Sequence, residues 1–149
     1  MARIIFWPFK ALETLLTLAW ARLLVGVVPF RMWRARIGPL ATDADAAPPQ
    51  VSAAQLYNAR AIGRRVRRCA RHAPFSAVCL PQAMAARWML DRRGIPSAMF
   101  FGARPDKGEG IARMHAWLMC GDVCLTGGQE REEFRSFTAG RPHPVRSGE

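Results

Sequence analysis

The stretch APFSAVCLPQAMAARWMLDRRGIP, residues 73–96, decides how the rest of the chain is read. Proline has no backbone N–H, so inside an α-helix it fits only the first turn, where that donor has no acceptor to lose. Pro81 therefore places a helix start at or just before Cys79. At the other end Gly94 suits the left-handed residue that closes a helix, and Pro96 cannot continue one. The spacing predicts a helix over about 79–93, with Cys79 in its first turn. A thiol there meets the positive end of the helix macrodipole, which favours the nucleophilic thiolate. On the same face Ala83 and Ala86 are small enough to let a strand approach closely. A buried structural cysteine is the commoner use of such a position, so the cysteine alone decides nothing.

Working outward toward the C-terminus, SAMFFGA (97–103) alternates and bulks up like a strand, and RPDKGEG (104–110) reads as a loop. IARMHAWLM (111–119) reads as a second strand, Gly121-Asp122 as a tight hairpin turn and VCLT (123–126) as a third strand. Helices first and an antiparallel meander afterwards predict an α+β domain. Nucleophilic catalysis by a cysteine needs a base within hydrogen-bond reach. Of the three histidines, His72 ends an arginine-rich helix and His143 stands between two prolines. Only His115 sits in mid-strand, 36 residues after Cys79. A lone strand histidine is more often a satisfied core residue than a base; the pair is a better signal than either member.

Working outward toward the N-terminus, Ser52 followed by Gln55 is a capping-box signature that opens a helix. That helix carries a narrow apolar seam of Ala59, Ile62, Val66 and Cys69 under six arginines: Arg60, Arg64, Arg65, Arg67, Arg68 and Arg71. Before it, GPLATDADAAPPQ (38–50) has linker composition. Residues 10–33 read as an amphipathic helix with apolar positions at Leu12, Leu15, Leu16, Ala19, Leu23 and Val27, ended by Pro29. Such a stripe usually packs on its own domain; its flanking Trp and Arg residues also suit peripheral contact with a membrane. The expected organisation is one domain: an N-terminal helix region (1–37), a linker (38–50), a core (51–137) and a mobile tail (138–149).

The chain has 149 residues, enough for a real core, and 22 Lys+Arg against 11 Asp+Glu give a net charge of +11. Residues 1–73 hold twelve basic and three acidic side chains, so the charge is concentrated there. A basic surface attracts acidic peptide, nucleic acid or anionic lipid; equally, it is an ordinary solvated face. Cys69, Cys79, Cys120 and Cys124 form no CxxC pair, and nothing at the N-terminus has the pattern of a removable signal peptide. The longest charge-free runs near the N-terminus are too short to span a bilayer, which takes about 20 apolar residues. A reducing cytoplasmic setting with free thiols is the expectation.

The run CLPQAxAARxxLxRRGIP (79–96), a strand ending in Gly102 and then HAW (115–117) together resemble the leader peptidases of lasso-peptide biosynthesis. Within that family the resemblance is to the stand-alone peptidase of split pathways, part of the transglutaminase-like superfamily. It extends to the leucine-rich first helix with Pro29-Phe30-Arg31 after it and to the basic second helix, hence to about residue 137. The resemblance implies a papain-like α+β cysteine peptidase domain, with Cys79 as nucleophile and His115 as base. It implies hydrolysis of the bond joining leader to core in a ribosomally made lasso precursor. The implied partners are a small leader-recognition protein and an ATP-dependent macrolactam cyclase; no metal or cofactor is implied. The family pattern carries an Asp about twelve residues after the His, where this chain has Gly127. Thr126, Gln129, Glu130 and Asp122 are the alternatives for orienting the imidazole, each more often plain surface. Arg64, Arg67 and Arg71 are the candidates for holding an acidic partner.

Three other readings compete. An accessory subunit that binds leader or cyclase without turnover would explain Gly127. A nucleic-acid-binding module would explain the arginine helix, but the chain has one tyrosine and no recognisable nucleic-acid motif. A metal site from Cys120, Cys124 and His115 matches no standard zinc spacing.

Overall fold

The computed structural model describes residues 2–29, 31–32, 50–104, 113–128 and 135–136. Among the described residues helices precede a small sheet, so the α+β order predicted from the sequence is the order observed: α1 Ala2–Val27, α2 Ala53–His72, α3 Cys79–Asp91, then β1 Ala98–Arg104, β2 Arg113–Cys120, β3 Val123–Thr126 and β4 Arg135–Ser136. The described strands form one antiparallel sheet in the order β3-β2-β1-β4. The expected tail (138–149), the linker up to residue 49 and the loop from residue 105 lie outside the described residues.

α3 is the centre of the molecule. It begins at Cys79, where Pro81 falls in the first turn and is itself buried. The helix ends at Asp91, two residues before the predicted end. Gly94 then takes a left-handed φ of 61°, and the Ile95 N–H reaches back to the Leu90 carbonyl at 3.1 Å. Pro81, Ala83, Met84, Ala85, Ala86, Met89 and Leu90 are all buried, and α3 packs against α1, α2, β1, β2 and β3. Three alanines in that set leave room for neighbours to close in from several sides.

α2 opens with the predicted capping box: the Gln55 N–H donates to Ser52 Oγ at 3.2 Å, and the Ser52 N–H donates to Gln55 Oε1 at 2.9 Å. Its seam of Ala59, Ile62 and Val66 is buried, and so is Gly63. A Cβ on Gly63 would come within 2.9 Å of the Leu125 carbonyl oxygen, so glycine is what lets α2 lie directly on β3.

α1 departs from the sequence reading in extent and in phase. It starts at Ala2, runs through Pro8 and stops before Pro29. Its buried positions are Thr14, Leu18, Ala21 and Leu24, whereas Leu12, Leu16, Leu23 and Val27 of the predicted stripe are exposed, together with Phe9 and Trp20. Both faces of this helix are apolar, so periodicity alone does not say which one docks. Thr14 is tolerated inside because its hydroxyl donates to the Lys10 carbonyl at 2.7 Å. No described helix is long and apolar enough to cross a membrane.

Candidate active site

Cys79 is the first residue of α3, half-buried and in no disulfide. Val78, the residue before it, is extended and provides no side-chain cap. The approach to the helix is braced instead by Gln82, whose Nε2 donates to the Ala77 carbonyl at 2.7 Å. That brace gives the glutamine of the CLPQA run a local role: it ties the chain before the cysteine to the first helical turn.

His115 is the third residue of β2, opposite Gly102 of β1, and is only 6% exposed. Side chains alternate across a strand, so it shares a face with Trp117 and, across the pair, with Phe100 and Gly102. Its ring lies 6.0 Å from that of Trp117, which stacks in turn on Phe100 with centroids 5.8 Å apart. Ala116 and Leu118, on the other face, belong to the core that contains Met99 and the buried residues of α3. The Nε2 of His115 lies 2.8 Å from the Gly127 carbonyl oxygen. A backbone acceptor leaves no mark in a side-chain pattern; only the twelve-residue spacing to Gly127 pointed to the position.

Of the four side chains expected to orient the imidazole, Thr126 and Asp122 are among the described residues. Thr126 ends β3 opposite Leu118, fully buried on the face away from His115, and among the described residues its Oγ1 has no hydrogen-bond partner. Asp122 is exposed in the hairpin turn; β2 runs on for about 17 Å of extended chain between His115 and that turn. Gln129 and Glu130 lie outside the described residues.

The remaining thiols are also in no disulfide. Burial pushes the Cys69 thiol up from its ordinary value against the pull of Arg65 and Arg68, and burial pushes Cys120 up as well. The Cys124 Sγ donates to the Thr126 carbonyl at 3.2 Å. Among the described residues no three His, Cys, Asp or Glu side chains gather as a metal site requires. The three arginines expected to meet a partner, Arg64, Arg67 and Arg71, are all exposed, and the Arg67 guanidinium also donates to the Leu125 carbonyl, tying α2 to β3.

A family model described as the transglutaminase-like superfamily matches residues 24–139, most of the chain. No curated protein and no solved structure matches.

Proposed function

The chain belongs to the transglutaminase-like superfamily, and from that premise we propose that it is a cysteine peptidase that removes the leader from a ribosomally made lasso-peptide precursor. The observation that carries the proposal is that Cys79 is the first residue of the central helix and His115 is a buried imidazole on β2, a strand against which that helix packs. Connectivity supports the pairing. α3 spans about 18 Å, and after 92–97 the chain enters β1, which also touches the helix. Antiparallel pairing then sets the beginning of β2, and with it His115, near the end of β1. That order along the chain is what supports the proposed pairing of Cys79 with His115.

In the proposed reaction His115 takes the Cys79 proton and the thiolate attacks the carbonyl carbon joining leader to core. The imidazolium returns that proton to the departing amine and leaves a thioester on Cys79. Water, deprotonated by His115, then attacks the thioester; the carboxylate product leaves and the thiol is restored. The basic face of α2, through Arg64 and Arg71, is proposed to receive the leader-recognition protein or the cyclase. Membership of the superfamily also accommodates a subunit that binds these partners without turnover, and Gly127 in place of the expected carboxylate favours that second reading.

The test is leader release from precursor, followed by mass spectrometry with the recognition protein present. Cys79→Ala is expected to remain folded and to abolish cleavage, and His115→Gln to reduce it by about 10²–10⁴-fold. Wild-type cleavage by Cys79→Ala would overturn the peptidase. Iodoacetamide is expected to label Cys79 ahead of Cys69 and Cys120, whose burial disfavours their thiolates. Equal labelling would count against an activated nucleophile.

A further inference from the structure

A carbonyl oxygen only accepts hydrogen bonds. The 2.8 Å contact between His115 Nε2 and the Gly127 oxygen therefore requires the proton on Nε2. In the neutral ring Nδ1 is then the basic nitrogen. The carbonyl reaches the ring because of how the chain leaves β3. Gly127 follows Thr126 with φ 75°, a left-handed conformation that residues with a Cβ rarely adopt. The space around it is closed as well. A Cβ there would lie 2.5 Å from the Ala116 oxygen, 2.9 Å from Trp117 Cβ and 3.1 Å from His115 Nε2. Two of those neighbours are fixed parts of β2, so no side chain enters without moving the strands. The same residue that presents the carbonyl thus excludes a carboxylate from that position.

We infer that the Gly127 backbone carbonyl is the group that fixes the tautomer and orientation of His115, making Gly127 a positioning residue that acts without a side chain. Resting on the peptidase reading above, the inference assigns Nδ1 as the nitrogen that receives the Cys79 proton and later returns it to the leaving amine. The Nε2 proton stays on Nε2, shared with Gly127, throughout. A neutral carbonyl holds the Nε2–H of both the neutral ring and the imidazolium. Unlike a carboxylate, it adds no counter-charge when the ring becomes cationic.

The inference is tested on the full chain labelled with ¹⁵N-histidine. Wild type is expected to show one slowly exchanging Nε2–H resonance, assigned to His115 by its loss in His115→Gln, with the unprotonated nitrogen at Nδ1. The exposed His72 ring exchanges too fast to give such a signal. An Nδ1–H ring, or no protected ring proton in the folded wild type, overturns the inference whatever the cleavage assay gives. Gly127→Ala is expected to lose the resonance. It should also move the pH profile of Cys79 alkylation to higher pH, because the imidazolium that accompanies the thiolate loses its acceptor. A lost resonance with an unmoved profile overturns the positioning role. If Gly127→Ala does not fold, wild type and His115→Gln decide. A protected Nε2–H together with an alkylation profile that His115→Gln shifts upward supports the role. The same protected proton with identical wild-type and His115→Gln profiles removes it. Absence of leader cleavage beside a protected Nε2–H sinks the peptidase reading and leaves the orientation of the ring standing.

Discussion

α1 and α3 are both rich in apolar residues, yet α3 is enclosed on most sides while α1 shows much of its apolar surface to solvent. α3 buries Pro81, Ala83, Met84, Ala85, Ala86, Met89 and Leu90. α1 buries Thr14, Leu18, Ala21 and Leu24 and leaves Phe9, Leu12, Leu16, Trp20, Leu23 and Val27 outside. The difference lies in side-chain size and in neighbours. Small residues on α3 admit two helices and the sheet, whereas α1, among the described residues, packs chiefly on α2 and α3. Apolar periodicity announces that a helix has a face to use. It does not say which of two apolar faces the fold will use.

Truncating a matched leucine in each helix should give the largest effect. Leu90→Ala in α3 and Leu18→Ala on the inner face of α1 remove fully buried side chains. Each is expected to cost about 2–5 kcal/mol, read from urea unfolding. Next in size, Ala86→Leu should cost about 1–3 kcal/mol by overpacking the crowded helix. Tolerance of that change would mean that the small residues of α3 are not what holds its neighbours close.

α3 was legible because its boundaries are written in residues with rigid backbone demands: Pro81 at the start, Gly94 and Pro96 after the end. The Ser52–Gln55 box and the Gly121-Asp122 turn were legible for the same reason, and Gly121 indeed has a positive φ of 56°. The inner face of α1 was not legible. Thr14 in its seam reads as polar until its hydroxyl is seen bonded to the Lys10 carbonyl. β4 was not legible either, since it is two residues, Arg135 and Ser136, whose backbone pairs with β1. At the candidate site, side-chain chemistry singled out Cys79 and His115, whereas the acceptor on His115 is a main-chain atom of a residue with no side chain.

A smaller effect separates the two faces of α1 itself. Leu16→Ala on the outer face is expected to change stability by no more than about 0.5 kcal/mol, against the several lost at Leu18. A loss at Leu16 as large as that at Leu18 would show that the outer stripe is covered in solution.

The smallest expected effect lies where α1 and α3 are tied by charge. Glu13 of α1 accepts from Arg93 Nη2 at 3.0 Å and 3.1 Å and from Arg92 Nη2 at 3.4 Å, just beyond the end of α3. Burial alone would raise the Glu13 carboxyl, but Arg93, Arg92 and Arg65 together bring it below its ordinary value. A carboxyl lowered on folding adds stability that is fully present well above the unfolded-state value of about 4.3. That stability fades as pH falls through the folded-state value. The pair is partly open to solvent, so screening holds its contribution to a few tenths of a kcal/mol. Glu13→Gln is therefore expected to lower the urea midpoint slightly at pH 7, and the gap from wild type should close as pH falls below about 4. Added salt at pH 7 should narrow the same gap. An undiminished gap at low pH would mean that Glu13 holds α1 to α3 by shape rather than by charge.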